Sequence, residues 1–170
     1  MKNSNIVIGV TLLEMMVVIA VIAILATIAA PSFQDLIRDN RTSAHARELG
    51  ALLAFARSEA LRRNGNVEVL IGVDRADVCL ASPCGNGNAI RSVEFDRVMV
   101  SAAPPDLEAD PPVQPPFDLA FTNRGYIDPF RPLAFRVSHE GCREDRPRES
   151  RTFRLERTGQ LSILPGGGCP

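Results

Sequence analysis

The chain has 170 residues and a mass of 18.5 kDa, room for one modest folded domain plus an appendage. Hydrophobic residues make up 45% and charged residues 23%, close to the averages of folded proteins, which excludes wholesale disorder. A net charge of -1 excludes a global pull toward nucleic acid or anionic lipid, and with no Trp, one Tyr and two His there is little material for stacking platforms or histidine-based catalysis.

The apolar content is concentrated at the amino end. Met15 to Ala30 reads MMVVIAVIAILATIAA, without a charge, and extending back to Val10 adds one acid, Glu14. As a helix, Val10–Ala30 would span about 31 Å, enough to cross a hydrocarbon core of about 30 Å. A buried core helix is the alternative, but this run is apolar on every face. A secretory signal is another, with Lys2 as its charged start and Ala26–Ala30 as its cleavage site; the run is longer than such signals, and Pro31 opens a continuing helical pattern.

Gly9 precedes Val10-Thr11-Leu12-Leu13-Glu14. This segment resembles the leader signal of type IV pilins and type II secretion pseudopilins. In that family a prepilin peptidase cuts after the glycine and methylates the new amino terminus, here Val10. The family usually has Phe after the glycine; Val10 departs from that. Pro31 stands where pilins carry a helix-kinking proline, 22 residues into the mature chain (31 minus 9). A carboxylate in an apolar segment costs up to about 3 kcal/mol at bilayer depth unless it is partnered. No Lys or Arg lies within one turn of Glu14. The resemblance implies that Glu14 pairs with the free amine of Val10, its own or a neighbour's, and so sets register in assembly.

Beyond Pro31, Phe33, Leu36 and Ile37 and then Ala46, Leu49, Leu52, Leu53, Ala56 and Ala60 predict an amphipathic helix. Asp35–Arg38, Glu59–Arg62 and Glu59–Arg63 are favourable surface pairs. Asn64-Gly65-Asn66 predicts its end, with Gly65 in the left-handed position. Strands are predicted over Val67–Ile71, Val93–Val100, Phe117–Thr122, Leu133–Ser138, Arg151–Glu156 and Gln160–Leu164. Asn123-Arg124-Gly125-Tyr126 links the middle pair, and Thr158-Gly159 marks a hairpin. Ser101–Pro116 holds six prolines in sixteen residues, which predicts a surface excursion. The expected fold is α+β, a long amino-terminal helix packed on a small antiparallel sheet. Its divisions are a leader at 1–9, a membrane helix at 10–30, its amphipathic continuation at 31–66 and a β-rich head at 67–170.

This second part resembles the GspH/FimT-type minor pilins and pseudopilins. The shared features are Ala56-Arg57-Ser58-Glu59-Ala60-Leu61-Arg62 at the helix end, the Val-x-Val strand that follows, Phe121-Thr122-Asn123-Arg124-Gly125 and Arg157-Thr158-Gly159-Gln160. The resemblance implies a minor subunit held in the bacterial inner membrane by one span, its head in the periplasm or, once assembled, in an extracellular pilus. Its partners would be prepilin peptidase, other pilins or pseudopilins and the inner-membrane assembly platform.

All four cysteines, Cys79, Cys84, Cys142 and Cys169, follow the apolar segment, so an exported head could hold two disulfides. Three pairings are possible; Cys79–Cys84 with Cys142–Cys169 is the one favoured here, closing a small loop and tying down the carboxyl-terminal tail. Their spacing, with no nearby His, is poor for zinc, and neither a metal nor another cofactor is expected. His45, on the helix surface, and His139, in a loop, have no nucleophile pattern about them, and Gly85-Asn86-Gly87 reads as a turn rather than a phosphate loop. No enzyme is expected. Some FimT-like relatives bind DNA through Gly-Arg-x-Arg, but the matching positions here are Gly159-Gln160-Leu161-Ser162, without either arginine. The six arginines between Arg143 and Arg157 face five acids, Glu140, Glu144, Asp145, Glu149 and Glu156, the balance of a solvated, ion-paired surface. A DNA receptor is therefore the lesser reading.

Overall fold

A computed structural model describes residues 11–80, 82–84, 87–103, 115–143, 149–166 and 169. The described residues include one helix, α1 (Leu12–Arg63), and nine strands, and the chain divides into two compact units that meet in sequence between Ile37 and Arg38.

In the first unit, α1 begins on a cap. Thr11 Oγ1 accepts the Glu14 backbone N–H at 3.2 Å, so Thr11-x-x-Glu14 supplies the residues of a capping box. From Leu12 to Ile28 the large apolar side chains are exposed all round, Leu12 at 78% and Ile28 at 70%. Nothing in water stabilises that arrangement; a lipid or protein surrounding would. Phe33, Leu36 and Ile37 are exposed as well.

In the second unit, the helix turns one stripe inward: Ala46, Leu49, Leu52, Leu53, Ala56 and Ala60 are buried. Gly50 lies on this stripe, and a Cβ there would stand 3.1 Å from Ile163 Cδ1, so the missing side chain lets a strand approach closely. The helix ends in a Schellman pattern, Gly65 N–H to Ala60 C=O at 3.2 Å and Asn64 N–H to Leu61 C=O at 3.4 Å. The left-handed residue is Asn64 (φ 52°), not Gly65 as the sequence suggested. Asparagine tolerates that conformation better than other side chains do.

The strands form two antiparallel sheets rather than the single sheet expected. Sheet A comprises β1 (Val67–Ile71), β2 (Arg75–Cys79), β3 (Ala89–Glu94), β5 (Phe117–Phe121) and β6 (Ile127–Asp128), in the order β3-β2-β1-β5-β6. Sheet B comprises β4 (Val98–Ala102), β7 (Leu133–His139), β8 (Ser150–Leu155) and β9 (Leu161–Pro165), in the order β4-β7-β8-β9. One buried cluster joins the helix stripe to Val67, Val69, Ile71 and Phe121 of sheet A and to Phe135, Val137, Phe153 and Leu155 of sheet B. Phe135 stacks on Phe153 with centroids 4.9 Å apart.

Three sequence expectations need correction. The strand expected over Val93–Val100 is two strands in different sheets. Inward residues fall at 93 and 95 and then at 98 and 100, a slip in the two-residue alternation that Asp96 and Arg97 (φ 56°) absorb as a turn. β2 was not among the expected strands, and it carries the charged residues Arg75 and Asp77. Yet Ala76 and Val78 are fully buried, and Asp77 is satisfied by Arg75 Nε at 2.8 Å and Ser92 Oγ at 2.5 Å. Ser101 and Ala102 belong to β4 rather than to a surface excursion, and 104–114 lie outside the described residues.

Candidate functional site

The residues singled out at the amino end fall on two sides of a boundary. Gly9 and Val10 lie outside the described residues. Glu14 occupies the first turn of α1, exposed among Leu12, Leu13, Met15 and Met16, and Pro31 lies within a helix assigned without interruption from Leu12 to Arg63. The α1 segment is long and apolar enough to cross a membrane. Thr11 is the residue whose role was missed: its place three before Glu14 was the available signal.

Two disulfides are present. Cys79–Cys84 closes a short loop after β2, and Cys142–Cys169 joins the residues after β7 to the carboxyl-terminal tail across 27 positions. Arg136, nearly buried in β7, adds a second tie by donating from Nη1 to the Cys169 carbonyl at 3.2 Å. Burial lowers the pKa of that guanidinium.

Around the start of the head half of α1 lies an ion-pair cluster. Arg151 Nη2 reaches Asp39 Oδ1 and Ser43 Oγ, each at 2.7 Å. Glu149 is only 2% exposed. Its Oε2 accepts the Arg143 backbone N–H at 3.1 Å, and Arg143 Nη2 and Arg38 Nη1 stand 3.7 and 4.0 Å from Oε1. The arginine-rich stretch is therefore committed in part to intramolecular pairing; Glu144, Asp145, Arg146 and Arg148 lie outside the described residues. His139 ends β7 rather than lying in a loop. Its Nδ1 accepts the Gly141 N–H at 3.0 Å, and burial, then the Arg38 charge, lowers its pKa. His45 is less exposed than expected, edge-on to Phe95 with centroids 5.9 Å apart and 3.0 Å from Glu48. At the helix end, Glu59 holds Arg62 and Arg63, and the Arg62 hydrogen bond leads the effects that lower its pKa.

A groove opens where α1 meets the turns of both sheets. Leu53, Ala54, Leu61, Phe121, Leu155 and Leu161 wall it, and Arg57 enters from the helix. Gly125 (φ 77°) and Gly159 (φ 73°) lie tight against Arg57: a Cβ at either would stand 3.0 or 3.1 Å from its Nε. Arg57 Nη2 donates to the Thr158 carbonyl at 3.0 Å, while Nε is shielded from solvent with no acceptor among the described residues. An unsatisfied buried donor of this kind costs about 1–3 kcal/mol. The sequence marked Arg57 and both turns, but not that they converge.

The family model for the type II transport protein GspH matches residues 45–159, more than half of the chain. The chain belongs to the GspH family. The match covers the inward helix stripe and both glycine turns. Among solved structures, the type IV minor pilin FimU of Pseudomonas aeruginosa aligns with a TM-score of 0.58 at 18% identity, over 77% of this chain and 93% of that one. The minor pseudopilin EpsH of the Vibrio cholerae type II secretion system aligns at 0.51 and 16%, over 78% and 99%. At these identities the likeness establishes a shared pilin-like fold. No curated protein matches the chain significantly.

Proposed function

We propose that this GspH-family chain is a minor pilin or pseudopilin, a membrane-anchored structural subunit that enters or primes a type IV pilus or type II secretion pseudopilus. The family match over residues 45–159 carries the reading. The exposed apolar face from Leu12 to Ile28 supports it from a second direction, because one surface can be satisfied first by lipid and later by neighbouring apolar helices. Prepilin peptidase cuts between Gly9 and Val10 and methylates Val10. Residues 10–30 anchor the chain in the inner membrane with residues 67–170 on the periplasmic side. Glu14 then sets axial position by pairing with a Val10 amine, and the head meets other minor subunits.

Amino-terminal sequencing of the exported chain tests this directly. Val10 should be the first residue, and Gly9→Leu should leave the uncut precursor on a gel. A mature chain beginning near Ala30, or normal maturation of the Gly9 variant, rejects the reading in favour of an ordinary exported protein.

A further inference from the structure

The link from β5 to β6 and the residues just after it shape an open hollow of about 380 Å³, whose lining includes Asn123, Arg124, Tyr126, Asp128 and Phe130. Tyr126 and Phe130 are 42% and 62% exposed, and their rings meet edge to face with centroids 6.0 Å apart. The Arg157 guanidinium stands 5.7 Å from the Phe130 centroid. Arg124 is exposed and makes no ion pair among the described residues. With Arg131, which follows Phe130, that makes three arginines about the rings against two acids, Asp128 and Glu156. Water gains nothing from two exposed rings side by side, whereas aromatic faces framed by arginine are what interaction surfaces carry.

The second observation is which segment begins and ends beside those rings. The Ala103 N–H donates to the Ala134 carbonyl at 3.3 Å, so the chain leaves β4 next to the Pro129–Leu133 stretch that carries Phe130. It returns through Pro115 and Pro116 into β5, whose Asp118 and Leu119 share a small hollow with Pro129, Arg131 and Leu133. Both ends of residues 104–114 therefore flank the same stretch. Eleven residues (114 minus 103) extended at about 3.1 Å each reach about 34 Å, or about 17 Å out and back, ample for the rings. Residues 104–114 read PPDLEADPPVQ, with four prolines, three acids and no basic residue. Proline-rich chain has little freedom to lose on docking, and aromatic-lined hollows are the surfaces that take it. Asp106, Glu108 and Asp110 supply the charge that the arginines lack.

We propose that the Tyr126–Phe130 hollow and its arginines are the docking site for the acidic, proline-rich segment 104–114 of the same chain. With one Tyr and no Trp in the sequence, intrinsic emission reports on Tyr126 alone. The test measures acrylamide quenching of that emission in the full chain, held in dodecyl maltoside micelles. Tyr126 should be shielded, and the shielding should be lost when 104–114 is replaced by eleven Gly and Ser residues. The free peptide 104–114, acetylated and amidated, should restore it in the replaced chain. A peptide carrying Asp106→Asn, Glu108→Gln and Asp110→Asn should bind about tenfold more weakly, the loss of three exposed ion pairs. Should the replaced chain fail to fold, the same three substitutions in the full chain keep its length and prolines and should leave Tyr126 more readily quenched. Equal quenching of the full chain and its altered forms, no restoration up to millimolar peptide, or equal binding of the two peptides each overturn the proposal. Shielding that fades on dilution of the full chain, or that an equimolar Tyr126→Phe chain restores to the replaced one, names a second copy as the occupant and overturns it too.

Discussion

Gly159 shows how much one missing side chain can decide. Its positive φ is what a tight β8–β9 turn requires, and a Cβ there would lie 2.2 Å from the Gly125 carbonyl oxygen, a backbone atom with no room to yield. Gly159→Ala should therefore lose about 3 kcal/mol in urea unfolding, from left-handed strain plus the clash. The turn was legible in Thr158-Gly159. Its contact with Gly125 was not, because nothing local links turns 34 positions apart (159 minus 125). His139 makes a second point at this scale. Its folded pKa is lowered beneath 6.5, first by burial and then by Arg38, and its Nδ1 must stay unprotonated to accept the Gly141 N–H. With the folded value depressed, the unfolded chain takes up the proton first, so stability present above pH 6.5 falls as acid is added below it. His139→Asn retains an acceptor and does not titrate. Urea midpoints from about pH 8 to about pH 5 should show a shallower acid slope in the variant; identical slopes would remove His139 from the account.

Among elements, the helix was the most readable. Its stripe recurs every three or four residues, and Glu59, Arg62 and Arg63 fall where helical spacing puts them in contact. Strands were readable where apolar and polar residues alternate, as in β1, whose burial runs alternately inward and half-inward. They were not readable in β2, a strand lying inside sheet A whose Arg75 and Asp77 pair with each other, with Ser92 of the neighbouring strand adding a hydrogen bond to Asp77. The disulfides tie elements together unequally. Cys142–Cys169 spans 27 positions and Cys79–Cys84 five, so chain-entropy arguments assign the first about 3.5 kcal/mol and the second about 2. Replacing Cys142 and Cys169 by Ser should thus lower the urea midpoint more than replacing Cys79 and Cys84. The reverse order would mean that the tail contributes little to the folded state.

For the whole molecule, the division at Ile37 and Arg38 separates two kinds of surface. Residues 38–170 bury a core, whereas the large apolar side chains of Leu12–Ile28 are exposed. The full chain should float with neutral phospholipid vesicles in a sucrose gradient and a chain starting at Arg38 should stay at the bottom; co-flotation of both would place the membrane contact in the second unit. That an apolar amino-terminal segment precedes the rest was visible from hydropathy alone, although its end was placed at Ala30 rather than Ile37. The distribution of strands over two sheets was not, because β4 and β7 meet through pairing rather than proximity in sequence. That interleaving bears on synthesis. Among the described residues, sheet A has its five strands once residue 128 has left the ribosome, while β4, finished by residue 102, pairs only with β7, which begins at Leu133. A nascent chain halted before Leu133 would hold a completed first layer and a stranded Val98–Ala102, waiting for the partner that the last forty residues bring.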